Sequence, residues 1–210
     1  EPTIIFCNHI EATERINDLL FEHGIPTGIF HGALKQEHRE RELIKLRNKS
    51  SNILLATDLA SRGIDIPSIK NVIHYQLPPK KDAFIHRNGR TARMDAGGNS
   101  FIILKADEKL PDFASTEIEE FQLDKRSDID LTTDYVTMYI NLGKKNKINK
   151  VDIVGLFYKK GGLQNDELGK IEVLDYCAYV AVKRGKTKEL TNNLHKEKIK
   201  KQSFIVAVSR

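Results

Sequence analysis

The chain has 210 residues, 40% of them apolar and 30% charged, which is long enough for one large or two small cores and ordinary for a globular protein. It contains no apolar run of membrane-spanning length, no charged-then-apolar leader, and only two cysteines, Cys7 and Cys177, far apart and without zinc-type spacing. These features argue against a membrane protein, a disulfide scaffold or a Cys-built metal site, and a reducing cytoplasm is the expected location. The net charge of +5 is uneven: residues 1–134 carry 18 basic and 22 acidic side chains (net −4), residues 135–210 carry 16 and 7 (net +9). Such a basic segment points to a polyanion partner, most often nucleic acid.

In chain order, Thr3–Cys7, Thr27–His31, Asn52–Thr57, Asn71–Tyr75 and Asn99–Leu104 predict buried strands. Glu11–Glu22 predicts a helix with Ile16, Leu19 and Leu20 inward, and Lys35–Asn48 another built on Leu43, Ile44 and Leu46. Strand–helix alternation implies a parallel sheet covered on both faces, with ligands at the carboxyl ends of its strands. Cys7-Asn8, His31-Gly32, Thr57-Asp58 and Tyr75-Gln76 all fall there. The chain starts at Glu1 without Met and runs straight into a strand, so we expect a piece of a longer protein. The expected domains are residues 1–121, a linker at 122–134 and a second domain at 135–210.

The second domain opens on alternation over Tyr135–Leu142, with Val136, Met138, Ile140 and Leu142 on one side and Tyr135, Thr137, Tyr139 and Asn141 on the other. Asn149-x-x-Asp152 caps a helix through Tyr158. Strands follow at Leu168–Leu174 and Tyr176–Lys183, then a helix at Thr187–Lys198 and a strand at Ser203–Val208. The order β-α-β-β-α-β is that of split ferredoxin-like, RRM-like RNA-recognition modules, so the whole is an α/β parallel-sheet domain followed by a smaller α+β one.

Arginines recur every third residue in His86-Arg87-Asn88-Gly89-Arg90-Thr91-Ala92-Arg93, a spacing that shares one face on a helix. With Ile4–Asn8, His31-Gly32, Gln36-x-x-Arg39 and Thr57-Asp58 through Asp65, this run resembles the second RecA-like domain of DEAD-box ATP-dependent RNA helicases. The resemblance implies catalytic arginines at Arg90 and Arg93, Arg93 as the finger that stabilises charge on the transferred phosphoryl group. It implies nucleotide contacts from Asp65 and Gly63, and coupling of His86 and Arg87 to an N-terminal RecA-like domain. RNA phosphates would be held by Thr57, Arg39, Gly32 and the Gly63 backbone, contacts that set register without reading bases. Neither a Gly-x4-Gly-Lys-Ser/Thr loop nor Asp-Glu-Ala-Asp is present, so ATP and Mg²⁺ are expected to be bound mainly by that other domain, and no metal site here. Asn88, usually apolar, and Ala92, usually Gly, depart from the family pattern. They leave open a non-catalytic RNA-binding protein that keeps the RecA-like domain as a scaffold.

In the second domain Tyr139 and Tyr179 fall opposite the apolar face, where aromatics either stack bases or serve as packing surface. Lys144, Lys145, Lys147 and Lys150 offer a basic loop, and Lys183, Arg184 and Lys186 another. Leu142–Ile148, Asp152–Gly155 and Leu168–Ile171 resemble the RNA-binding domain of DbpA-type bacterial DEAD-box proteins, which implies large-subunit ribosomal RNA as partner and ribosome assembly as setting, with no membrane.

Overall fold

A computed structural model describes residues 1–58, 69–91, 97–114, 118–122 and 131–209. The chain divides into two compact units, residues 1–42 with 52–132, and residues 43–51 with 133–210. Most of the expected linker, 123–130, lies outside the described residues.

The first unit is built on five parallel strands: β1 (Thr3–Cys7), β2 (Thr27–Phe30), β3 (Ile53–Thr57), β4 (Asn71–His74) and β5 (Asn99–Ile102). Their order is β2-β3-β1-β4-β5, with β1 at the centre. All five β1 residues are buried, as expected of a parallel strand covered on both faces. Ile5, Cys7 and Leu55 form one face with Ala12 and Ile16 of helix α1 (Ile10–Glu22). Helix α1 ends where Gly24 turns left-handed (φ 74°) and Ile25 N–H reaches back to the Leu20 carbonyl at 2.9 Å, a glycine-based helix stop. Leu19, expected inward, is 48% exposed, since α1 covers the sheet with the stripe through Ala12, Ile16 and Leu20 and turns Leu19 away. Helix α2 (Gln36–Arg47) buries Leu43, Ile44 and Leu46, and helix α3 spans Lys81–Asn88. This is the expected RecA-like sheet.

In the second unit an antiparallel sheet has the order β11-β6-β8-β7. It comprises β6 (Tyr135–Ile140), β7 (Leu168–Val173), β8 (Ala178–Lys183) and β11 (Val206–Val208). Helices α4 (Lys150–Lys159) and α5 (Thr187–Leu194) bury Ile153, Leu156, Phe157, Leu190 and Leu194 with Met138, Ile140, Val180 and Val182. Both helices therefore cover one sheet face. Asn149 caps α4 reciprocally with Asp152, at 3.0 and 2.9 Å.

The expected helix to Lys198 stops at Leu194, and a small hairpin follows, β9 (Lys198–Ile199) with β10 (Gln202–Ser203). Its two-residue loop, Lys200 and Lys201, holds φ at 49° and 68°. Such turns favour Asn-Gly, so a Lys-Lys pair carries no readable signal. No helix among the described residues is long and apolar enough to cross a membrane.

Candidate nucleotide and RNA surfaces

At the carboxyl ends of β3, β1 and β4, three neighbouring strands, one guanidinium collects the chain. Arg87 is 1% exposed. Its Nε and Nη2 donate to the two carboxylate oxygens of Asp58 at 2.7 and 2.8 Å, Nη1 donates to the Gln76 carbonyl at 2.7 Å, and Nη2 also donates to Asn8 Oδ1 at 2.7 Å. The Phe6 ring lies 5.0 Å below, a cation–π contact. Four of the five guanidinium N–H groups are thus engaged. A bidentate carboxylate is what makes a buried arginine tolerable. Asn8 is used up as well: its N–H donates to Gln76 Oε1 and its Nδ2 to the Leu77 carbonyl, both at 2.9 Å.

Arg87 and Arg90 do not share a helix face. Helix α3 ends at Asn88, with Gly89 as its cap. Arg87 points into the sheet, Arg90 is half-buried in the turn beyond the helix, and Arg93 lies outside the described residues, as do Gly63 and Asp65. His86 is exposed. Arg87 has its four hydrogen bonds inside its own unit, to Asp58, Asn8 and Gln76. Sequence reasoning missed those three partners. The signal was available: a buried arginine demands a carboxylate, and Asp58 stands at the end of a neighbouring strand.

Asn88 has a physical account. Its Oδ1 accepts from Ser100 Oγ at 2.9 Å and from His74 Nε2 at 2.8 Å, which sets His74 as the Nε2–H tautomer. His74 is 0% exposed and stacks on Phe84 at 4.7 Å. Burial pushes its pKa below the ordinary value, with Arg87 adding to the depression, while the bond to Asn88 and the Asp58 charge oppose it. A polar Asn88 therefore has polar partners where an apolar residue would leave His74 unsatisfied. His74 Nδ1 has no hydrogen bond in any case.

Among the expected RNA contacts of this unit, Thr57 is 8% exposed at the end of β3. Gly32 is exposed, with open space where a Cβ would stand. Arg39 on α2 is half-buried and its Nε has no hydrogen bond. His31 is 2% exposed, and its Nε2 lies 3.8 Å from Glu14 Oε1.

In the second unit Tyr139 and Tyr179 are cross-strand partners with rings 5.6 Å apart. Tyr139 is half-buried and Tyr179 only 8% exposed. Of the two readings left open, stacking or packing, the burial of Tyr179 fits packing: it stands on an inner strand between Tyr139 on β6 and Glu172 on β7. Arg184 is committed to Thr133, donating to its carbonyl at 2.7 Å and its hydroxyl at 2.5 Å. Lys183 pairs with Asp166 at 2.7 Å, and Lys186 with Glu167 and Glu189. Lys144, Lys145, Lys147 and Lys150 are exposed, and among the described residues none of them pairs with a carboxylate. No group of three or more His, Cys, Asp or Glu able to hold a metal occurs among the described residues.

Residues 1–95 match the family model of the helicase conserved C-terminal domain, and residues 137–208 that of the DbpA RNA binding domain. The chain is 31% identical over 214 aligned positions to the ATP-dependent RNA helicase DbpA of Bacillus subtilis, covering 89% of this chain and 45% of that protein. It is 30% identical over 203 positions to DbpA of Escherichia coli, covering 94% and 44%. The chain thus spans a little under half the length of these curated relatives. A crystal structure of the E. coli DEAD-box protein SrmB bound to regulator of ribonuclease activity A is similar over 48% of this chain and 59% of that one, at 34% identity and a TM-score of 0.47. A parallel-sheet helicase domain followed by an RNA-binding module defines the C-terminal region of an RNA helicase. The chain belongs to the DbpA-like DEAD-box family.

Proposed function

We propose that this chain is the part of an ATP-dependent RNA helicase that closes on nucleotide from one side and anchors the enzyme to large-subunit ribosomal RNA. In this reading Arg90 and Arg93 face the γ-phosphate of an ATP held, with Mg²⁺, mainly by an N-terminal RecA-like domain. Asp65 and Gly63 contact the nucleotide, and Thr57, Arg39 and Gly32 grip RNA phosphates. The basic second domain raises the local concentration of nearby duplex by tethering, and ATP-driven closure separates it during ribosome assembly in the cytoplasm. The observation that carries the reading is Arg87, which ties the strand ends bearing Asn8 and Asp58 to the helix leading into Arg90. A rigid base of that kind is what a preorganised phosphoryl-transfer site requires.

Crosslinking of residues 135–210 to total cellular RNA, followed by mapping, tests the target. The reading expects sites concentrated in one structured element of large-subunit ribosomal RNA, and sites scattered over messenger or transfer RNA contradict it. The purified chain is also expected to hydrolyse no ATP, with or without RNA.

A further inference from the structure

The loop that carries the unpaired lysines is joined, backbone to backbone, to a second loop bearing an exposed aromatic ring. Lys144 N–H donates to the Leu174 carbonyl and Lys145 N–H to the Asp175 carbonyl, both at 2.8 Å. The Leu174–Cys177 turn closes on itself through Leu174 N–H and the Cys177 carbonyl, also at 2.8 Å. Gly143 makes the junction possible: a Cβ there would collide with the Leu174 carbonyl oxygen and stand 2.6 Å from Cys177 N. At the tip of that turn Tyr176 is 72% exposed. Between the same two loops lies a cavity of about 380 Å³ lined by Lys144, Ile148, Asn149, Lys150, Val173 and Leu174 together with the acid Glu172.

The charges at this junction favour an anion. Of the neighbouring acids, Glu172 pairs with Lys170 at 3.7 Å and Asp152 with Lys200 at 2.7 Å. The side chains at positions 144, 145, 147 and 150 are exposed, as is the acid Asp175 on the turn. An exposed ring flanked by unpaired cations is the arrangement that binds single-stranded nucleic acid, the base on the ring and the phosphates on the cations. Tyr179 on the sheet lacks that access, being 8% exposed, and Tyr139 is half-buried.

We propose that Tyr176 and the Lys144–Lys150 loop form one RNA site, in which the Tyr176 ring stacks an unpaired base and Lys144 and Lys145 hold the adjoining phosphates. The proposal rests on the RNA-binding reading of this domain and adds the stacking residue and the unpaired base.

The test measures binding of the whole chain to two probes: deproteinised large-subunit ribosomal RNA, and blunt duplex RNA lacking unpaired bases. Because Tyr176 is largely exposed, its replacement leaves the thermal midpoint unchanged. Tyr176→Ala weakens binding to ribosomal RNA by about 5- to 150-fold, the range for loss of one base–aromatic stack, while Tyr176→Phe stays within about twofold. Tyr176→Ala leaves duplex binding unchanged. Lys144→Gln with Lys145→Gln weakens both probes and flattens the salt dependence. The chain contains no tryptophan, so Tyr176→Trp supplies a single reporter whose emission is quenched on binding ribosomal RNA.

If Tyr176→Ala binds ribosomal RNA like the unsubstituted chain while the lysine variant loses it, the stacking site is refuted and the RNA-binding reading survives. If neither weakens, the RNA reading of these loops fails too. Equal losses in Tyr176→Phe and Tyr176→Ala also overturn the stacking assignment. So does Tyr176-dependent binding of a polyglutamate peptide without RNA binding, which would assign the surface to an acidic protein.

Discussion

Replacing Asp58 by alanine strands the Arg87 guanidinium. In the intact chain Arg87 is 1% exposed and donates two charge-assisted bonds to that carboxylate. Removing one partner of a buried pair costs about 3–5 kcal/mol. Asp58 is itself 27% exposed, so water reaches the vacated position and the loss falls near the lower end, about 3 kcal/mol. Arg87→Met removes the charge but leaves Asn8 Oδ1 and the Gln76 carbonyl without this donor, at about 1–3 kcal/mol for each group left unsatisfied. The double variant no longer buries an unpaired cation, so it is less destabilised than the sum of the singles by about 2 kcal/mol. Native-state hydrogen exchange on β1 and β3 amides, in the whole chain, reports the first unit by itself. A loss below about 1 kcal/mol for Asp58→Ala, or additive singles, would refute the view that this ion pair holds the strand ends together.

Three further outcomes follow from the same geometry. His74 has a depressed pKa in the folded state, so the unfolded chain binds the extra proton first. Its contribution is complete above its ordinary value near 6.5 and is lost as pH falls from there toward the depressed folded value; denaturation midpoints from pH 7.5 to 5 show this, and His74→Phe removes it. Gly143→Ala sets a Cβ against backbone atoms of the 174–177 turn, Cys177 N among them at 2.6 Å. The second unit loses about 2 kcal/mol as overpacking does, read as a fall in its thermal midpoint. Burial pushes the Cys7 thiol up to about 11, so in the native chain at pH 8 a thiol reagent modifies half-buried Cys177 and reaches Cys7 only after denaturation.

Much of the fold was legible because hydrophobic period and turn chemistry agree in most segments. The five apolar runs of the first domain became its parallel strands, and the β-α-β-β-α-β order of the second appears with the last strand paired beside the first. Legibility failed where burial or backbone conformation overrode local pattern. A spacing of three in Arg87 and Arg90 implies one face only while the helix lasts, and it ends at Asn88. Strand alternation places Tyr179 on the outer face but does not say that its neighbours cover it. The Lys200-Lys201 turn has left-handed residues with no glycine or asparagine to announce them. Asn88 read as a departure from pattern because its partner His74 lies 14 positions away on a strand. For Tyr179 and Asn88 the missing information was a tertiary contact, and for the helix end and the Lys200-Lys201 turn it was backbone conformation; periodicity encodes neither.

In the proposed function Arg90 and Arg93 act on ATP bound by another domain while RNA is held elsewhere on this chain. The direct measurement is RNA-stimulated ATPase of the full-length protein carrying Arg90→Lys or Arg93→Lys, with RNA affinity measured on the same samples. The predicted result is a fall in kcat of about a thousandfold or more for Arg93→Lys and a lesser fall for Arg90→Lys, with RNA affinity unchanged. Unchanged turnover in both variants would contradict it.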